Sequence, residues 1–382
     1  MTRKKSNDSF LQTMSSSTDE QFPINFKALE EKASTLLSKG AFGYIQSGAG
    51  GEETLQKNTS SFSKLSIVPR FLNDVSTVDT SITLFGRTYP QPFLLAPVGM
   101  LKLAHEDAEI AAAKAAAEYG IPYIQSTVSS YSIEQIAAET GTSPKWFQLY
   151  WSNNKEISYN MVRRAEKAGY EAIVLTVDTV MLGWREEDLR NQFSPLKLGL
   201  GKANYETDDV FLAGLPNKEE ETIIQGIVDN IHHPTLNWAD VAELKKRTSL
   251  PILLKGILHP DDALLAIQNG IDGIIVSNHG GRQLDGVVSS IDALPAIVNA
   301  VNKQIPVLLD SGIRRGADII KAIALGADAV CIGRPYVYGL AAGGQLGVEK
   351  VIDGFIQETS ISMALTGVAK AQDLRNVTIV NS

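Results

Sequence analysis

From about residue 90 the chain alternates short apolar runs with segments whose apolar positions recur at helical spacing, the pattern of a repeated βα unit. The runs are PFLLAPVG (92–99), IPYIQS (121–126), KWFQLYW (145–151), AIVLTVD (172–178), PILLKG (251–256), GIIVSN (273–278), PVLLDS (306–311) and AVCIGRP (329–335). They are continuously apolar rather than alternating, which predicts strands covered on both faces. Between them lie segments such as EDAEIAAAKAAAEYG (106–120) and DDALLAIQNG (261–270). The second follows His259-Pro260 and closes on a glycine, a start and a stop for a helix. Eight such units predict an α/β protein built as a (β/α)8 TIM barrel, in preference to an open doubly wound sheet.

Two stretches fall outside this rhythm. Residues 21–90 precede the first barrel strand and are expected to cap the bottom or side of the barrel, with the glycine-rich FGYIQSGAGGEET (42–54) approaching the site. Residues 190–238 separate the fourth strand from its helix by far more than the usual ~2–6 residues. They read as a mobile lid over the strand ends, the alternative being a disordered insertion. Residues 1–20 read as a disordered polar tail and 21–382 as one barrel domain.

Composition narrows the class. Apolar residues make up 44% of the 382 and charged residues 20%, enough to bury a large core. A formal charge of −8 argues against binding to nucleic acid or anionic membranes. No apolar run reaches the ~18 residues of a membrane span. The opening MTRKKSNDSFLQTMSSSTDE lacks an apolar leader core. A cytoplasmic protein is expected. Cys331, the single cysteine, sits in an apolar run and reads as a buried, inert thiol.

Barrels of this kind gather their chemistry at the C-terminal ends of the strands. Here those ends read Gly99; Ser126; Gln148 with Tyr150; Thr176 with Asp178; Lys255; Ser277 with His279; Asp310 with Gly312; and Gly333 with Arg334. SNHGGRQLDG (277–286) sets His279 three residues from Arg282, which suggests a base beside a carboxylate clamp. Asp178 could orient His279 and raise its pKa, although a lone Asp after a strand is commonly a helix cap. Lys255 could stabilise a reduced cofactor or form a Schiff base. Arg185 lies in GWREEDLRN and could equally pair with its acidic neighbours. Gly312, Arg314, Gly333 and Arg334 follow strands seven and eight, where a barrel often binds a phosphate such as that of a flavin mononucleotide or a sugar phosphate. No metal-ligand cluster is expected.

SNHGGRQLDG, DSGIRRGADIIKAIALGA (310–327) and GRPYVYGLA (333–341) together resemble the FMN-dependent L-2-hydroxy acid oxidases and dehydrogenases, over residues from about 25 to about 375. The resemblance implies FMN as cofactor, a small 2-hydroxy acid and O2 as reactants, and a homo-oligomer, a tetramer or octamer. It also implies roles. His279 would be the base with Asp178 behind it; Arg185, Arg282, Tyr44 and Tyr150 would hold the substrate; Lys255 would sit beside the flavin ring. Pro97, Val98, Gly99, Ser126, Gln148, Thr176 and Ser277 would line the ring or the ribityl chain, and Asp310 would meet the ribityl hydroxyls. Gly312, Arg314, Gly333 and Arg334 would take the phosphate. WFQLYWS (146–152), LGWREEDL (182–189), GILHPDDA (256–263) and PYVYGLA (335–341) are most similar to the lactate 2-monooxygenases, with the lactate oxidases next. Gly99, where oxidases usually carry Ala, implies the monooxygenase products, acetate, CO2 and water; the alternative is a 2-oxo acid and hydrogen peroxide. At Val128 several relatives place a large aromatic residue, so the acyl side of the pocket is expected to differ in shape. Another FMN or sugar-phosphate barrel, such as an isomerase, is the more remote alternative.

Overall fold

The computed structural model describes residues 22–381, so the expected polar tail lies outside the described residues. All eight apolar runs form parallel strands of one closed barrel: β1 (Phe93–Leu95), β2 (Tyr123–Gln125), β3 (Lys145–Tyr150), β4 (Ile173–Thr176), β5 (Ile252–Ile257), β6 (Gly273–Val276), β7 (Val307–Leu309) and β8 (Ala329–Ile332). The ring closes where Cys331 of β8 aligns with Leu94 of β1.

The runs are uniformly apolar because both faces are buried. Leu94, Ile124, Trp146, Val174, Leu253, Ile275, Leu308 and Cys331 fill the barrel interior. Their sequence neighbours, among them Phe93, Leu95, Phe147, Ile173, Leu254 and Val276, pack outward into the larger core beneath the helices. Each strand thus follows a period of two, invisible as polarity but present as two separate apolar layers.

The surrounding helices are α1 (Ala108–Glu118), α2 (Ile133–Thr140), α3 (Lys155–Lys167), α4 (Trp238–Lys245), α5 (Pro260–Gln268), α6 (Ser290–Val301), α7 (Gly316–Ala324) and α8 (Arg334–Thr366). Helix α5 begins as expected, with Pro260 in its first turn and the His259 ring accepting a hydrogen bond from the Asp261 amide at 3.1 Å. Alanines 111, 112, 115 and 116 of α1 are buried, allowing that helix to lie close on its neighbours. Helix α8 is broken at Gly343 and Gly344, whose backbone leaves helical geometry.

The segment before the barrel divides its work. A hairpin of Ile82–Leu84 and Arg87–Tyr89 closes the N-terminal end, with Leu84 and Tyr89 joining the interior layer and Phe85 against Trp146. The Tyr89 hydroxyl donates to Glu171, which leads into β4. Helices Lys39–Gln46 and Glu53–Ser63 instead reach the opposite end, where Asn58 and Asn278 exchange two amide hydrogen bonds of 2.8 and 2.7 Å. The stretch Leu65–Val68 pairs antiparallel with Thr378–Asn381.

Residues 190–238 are not a structureless insertion. They contain helices Ala203–Glu206, Asp209–Ala213 and Glu220–Ile231. Asn204 anchors them: its amide donates to the carbonyls of Ser126 (3.2 Å) and Thr127 (3.0 Å), and its oxygen accepts from the Ile133 amide at 2.9 Å. Gly201 brings the segment against Met100 and Val128 at the strand ends, as expected of a cover.

The hairpin plug makes a stability prediction. Leu84→Ala empties a fully buried site below the barrel and should cost about 2–5 kcal/mol in denaturant unfolding. A loss below about 1 kcal/mol would show that the plug is dispensable to the core.

Candidate active site

At the C-terminal ends of the strands lies a cavity that opens to solvent. Of the residues singled out by sequence, Tyr44, Pro97, Val98, Gly99, Tyr150, Arg185, Lys255, His279, Arg282, Asp310, Gly312, Arg314, Gly333 and Arg334 line it. Ser126, Gln148, Thr176, Asp178 and Ser277 stand one layer behind.

The turn after β6 explains its unusual composition. His279 has φ near +60°, a region sparsely used by residues other than glycine, and Gly280 and Gly281 continue with positive φ. Three bonds hold this turn: Ser277 Oγ accepts from the His279 amide (3.0 Å), Ser311 Oγ from Gly280 (2.9 Å) and Asn278 Oδ1 from Gly281 (3.1 Å). The result is an imidazole presented to the cavity with Nδ1 at 2.8 Å from Asp178 Oδ1. Thr179 Oγ1 also donates to that carboxylate oxygen at 2.8 Å.

Burial lowers the His279 pKa, and although Asp178 opposes it, the net direction is down from the usual imidazole value; Lys255 and Arg185 push the same way as burial. Asp178 thus acts in the expected direction, and burial outweighs it. Burial also works against ionisation of Asp178, but attraction to His279 and Lys255, with the hydrogen bonds, holds its carboxyl at about 2. The pair is therefore a neutral ring oriented by a carboxylate.

Lys255 is almost wholly buried, donates to Ser277 Oγ at 3.1 Å and pairs with Asp310 Oδ2 at 3.3 Å. Burial alone would lower its pKa, yet Asp310 and Asp178 carry it well above the ordinary lysine value. It is a fixed cation, unsuited to the amine nucleophile a Schiff base needs. Burial pushes the Tyr150 hydroxyl up to about 12, so it stays a proton-bearing donor.

Arg185 and Arg282 converge as predicted. Their guanidinium carbons lie 5.9 and 4.8 Å from the Tyr44 ring centre. Arg185 donates to the Arg282 carbonyl at 3.2 Å and to Gln283 Oε1 at 3.3 Å, not to the adjacent glutamates. Arg282 donates to the Ser47 carbonyl at 2.7 Å. Burial, followed by the neighbouring Arg185, presses the Arg282 pKa down to about 9. That is the electrostatic mark of a site short of an anion.

The far end of the cavity shows the same deficit. Arg314 Nε is buried without a hydrogen-bond partner among the described residues. Burial and then Arg334 push its pKa down to about 10. Gly312 has φ near +97° and a Cβ there would stand 2.1 Å from the Asn58 carbonyl, so only glycine fits. Gly333 caps α8, where Pro335 carries no N–H and the Tyr336 amide already donates to the Gly333 carbonyl at 3.1 Å, so the positive end of the helix dipole is what this end offers an anion. Arg334 is differently engaged from the sequence expectation: its guanidinium donates to the carbonyls of Ile45 (2.9 Å), Gly280 (3.1 Å) and Ser47 (2.9 Å). It ties three loops together while its charge faces Arg314. An orphaned guanidinium nitrogen, a glycine cradle and a helix N-terminus suit a phosphate.

Behind the cavity wall, at the strand ends, runs a polar row. Ser126 Oγ donates to Gln148 Oε1 (3.1 Å), and Gln148 Nε2 donates to Thr176 Oγ1 (3.0 Å), so adjacent strand ends β2, β3 and β4 share one chain. Its mixture of donors and acceptors suits the edge of a flavin ring. The buried Cys331 lies on the cavity floor, with burial raising its thiol pKa.

Sequence reasoning missed Met100, Thr179, Ser311 and Gln283. Met100 adopts φ near +59° and accepts from the Tyr44 hydroxyl at 3.7 Å through its sulfur. Gln283 holds Arg185 and donates to the Asp178 and Met181 carbonyls at 2.9 Å. It sits inside the SNHGGRQ motif, so the motif was its signal; nothing distinguishes Met100 or Thr179.

The sequence pattern of the FMN-dependent dehydrogenases matches residues 33–381. The chain is 62% identical to an L-lactate oxidase of Lysinibacillus sphaericus (strain C3-41) over 361 residues, 94% of each chain. It is 41% identical over 338 residues to 2-hydroxyacid oxidase 1 of Homo sapiens, covering 88% of this chain and 91% of that one. Among solved structures, mandelate oxidase with (S)-4-hydroxymandelic acid superposes with a TM-score of 0.86 at 39% identity, covering 94% of this chain and 99% of the other. The protein belongs to the FMN-dependent dehydrogenase family and is an FMN-dependent oxidoreductase of the 2-hydroxy acid oxidase type.

Proposed function

We propose that the protein oxidises L-lactate, or a similarly short L-2-hydroxy acid, to the 2-oxo acid, and reduces O2 to hydrogen peroxide. One observation carries this reading: a neutral, carboxylate-oriented histidine shares one cavity with two arginines, Arg185 buried and Arg282 half-buried. A 2-hydroxy carboxylate needs both, a clamp for its carboxylate and a base for its proton. The likeness to the L-lactate oxidase supports the choice of substrate and of product.

Arg314, Gly312 and the start of α8 would hold the FMN phosphate, Asp310 the ribityl chain, and Pro97–Gly99, the Ser126–Gln148–Thr176 row, Ser277 and Lys255 the ring. When bound, FMN supplies the two-electron acceptor and passes those electrons to O2. Arg185 and Arg282 bind the substrate carboxylate as planar forks, beside Tyr44 and the Tyr150 hydroxyl. His279 takes the substrate proton at Nε2 while Nδ1–H stays on Asp178, whose charge offsets the imidazolium as it forms. Lys255 keeps positive charge beside the ring, stabilising negative charge that develops there.

Gly99 supports the monooxygenase outcome less than its identity suggests. A Cβ at this position would lie 2.4 Å from Val128 Cγ2 and 2.8 Å from the Val128 carbonyl oxygen. Packing against Val128 therefore accounts for the glycine without any role in product fate.

Product stoichiometry is the direct test. With L-lactate and O2 the enzyme should release pyruvate and hydrogen peroxide in equal amounts; acetate and CO2 without free peroxide would make it a monooxygenase. His279→Gln should retain FMN but slow anaerobic flavin reduction by about 10²–10⁴-fold. Because the ring must be neutral to act, kcat/KM should fall only as pH drops through the lowered His279 pKa. Its acid limb should therefore lie below pH ~6.5, and a limb well above that value would assign the base elsewhere. Arg185→Lys and Arg282→Lys keep the charge but lose the fork, and each should weaken lactate binding about tenfold or more in anaerobic titration. Unchanged affinity in both would place the carboxylate outside this clamp.

A further inference from the structure

The catalytic reading leaves several buried carboxylates unused, Glu109 among them. Glu109, the second residue of α1, is completely buried beneath the loop that runs from β1 along the cavity wall. Its Oε1 accepts from the Leu101 amide at 3.0 Å, and its Oε2 has no hydrogen-bond partner among the described residues. Leu101 directly follows Met100, the residue forced into the left-handed region. At the other end of the same loop, the buried Tyr336 of α8 donates its hydroxyl to the Ala96 carbonyl at 2.9 Å.

The loop between these two bonds carries Pro97, Val98 and Gly99. Met100 adds two backbone ties: its amide donates to the Val128 carbonyl at 2.8 Å and its carbonyl accepts from the Leu103 amide at 3.0 Å. A short loop with a left-handed methionine at its end holds one shape only if its ends are over-determined. Glu109 supplies one end, and the side chain comes from a helix rather than from the loop itself.

We propose that Glu109 is a positioning residue for FMN: by pinning the Leu101 amide it fixes the Val98–Met100 backbone against the flavin ring. The proposal rests on the reading that this loop faces the flavin. The requirement is a correctly placed acceptor rather than a charge. Burial pushes the Glu109 carboxyl up to about 7, with Tyr123, Tyr131 and Tyr336 around it and Lys102 the cation nearest in effect. A neutral oxygen therefore serves at this site as well as an ionised one.

The test compares holoenzymes carrying Glu109→Gln, Glu109→Asp and Glu109→Ala by the absorption spectrum of bound flavin and by flavin fluorescence on dilution, which reports FMN release. Glu109→Gln, which keeps the acceptor at the same reach, should match the wild type in both. Glu109→Asp keeps the charge but falls short of Leu101; it and Glu109→Ala should displace the flavin absorption bands and weaken FMN retention about tenfold. Gly99→Ala serves as a reference, since its methyl would collide with Val128 and shift the loop. If Gly99→Ala moves the flavin bands while Glu109→Asp and Glu109→Ala do not, Glu109 merely packs and the proposal is overturned. If Gly99→Ala is silent too, the loop does not face the flavin and the proposal falls with the reading beneath it. Loss in Glu109→Gln equal to that in Glu109→Ala would also overturn it, by making charge the requirement. Should Glu109→Ala fail to fold, the contrast between Gln and Asp decides alone.

Discussion

An excess of positive charge around one cavity governs this structure. Arg185, Lys255, Arg282, Arg314 and Arg334 all border one cavity, and the carboxylates set directly against them, Asp178 and Asp310, answer chiefly to Lys255 and His279. Burying a cation without an anion is expensive. The depressed values at Arg282 and Arg314 express that cost at the two ends of the site. A phosphate at one end and a substrate carboxylate at the other relieve it, so cofactor and substrate complete the electrostatics of the fold. The same field contributes at His279: with its ring largely withdrawn from water and cations nearby, it stays neutral despite the carboxylate at its back.

Rigid scaffolding is needed to keep like charges together, and the barrel supplies it through loops that brace one another. Arg334 spends its side chain on carbonyls from the N-terminal segment and the β6 turn. Gln283 holds Arg185 and reaches the backbone beyond β4. Asn58 and Asn278 join the same regions from below. These bonds act between segments far apart in sequence, and each fixes a charged group by holding its neighbours.

Much of this was legible in the sequence, for a physical reason. Strands buried on both faces write themselves as unbroken apolar runs, and their polar ends mark the face where chemistry gathers. Hence the eight strands and the residues at their ends could be named beforehand, whereas Tyr44 and the pairing of Arg185 with Arg282 on the substrate came from the family resemblance. Direction was harder to read than identity. Arg334 was expected at the phosphate from its strand-end position and the family resemblance, and only packing reveals the three carbonyls its side chain serves. Asp178 was correctly paired with His279, yet the sign of the histidine shift depended on burial, which a motif does not display. The helices within 190–238 were unreadable because Asn204 and its distant acceptors, rather than local periodicity, hold them. The hairpin at 82–89 was obscured in the same way: its residues gain their meaning from the open end of the barrel they enter.

The pairing of Leu65–Val68 with Thr378–Asn381 bears on how the chain comes together during synthesis. The first of these strands leaves the ribosome before any barrel strand, and its partner follows all eight. Barrel closure between β8 and β1 waits in the same manner. Until then the apolar faces of the early strands lack their neighbours, and the most sequence-distant contacts are the last to form. The nascent protein must therefore carry an open, sticky half-barrel through most of translation. How long those faces stay open is set by the wiring of the chain's ends rather than by the strength of its finished core.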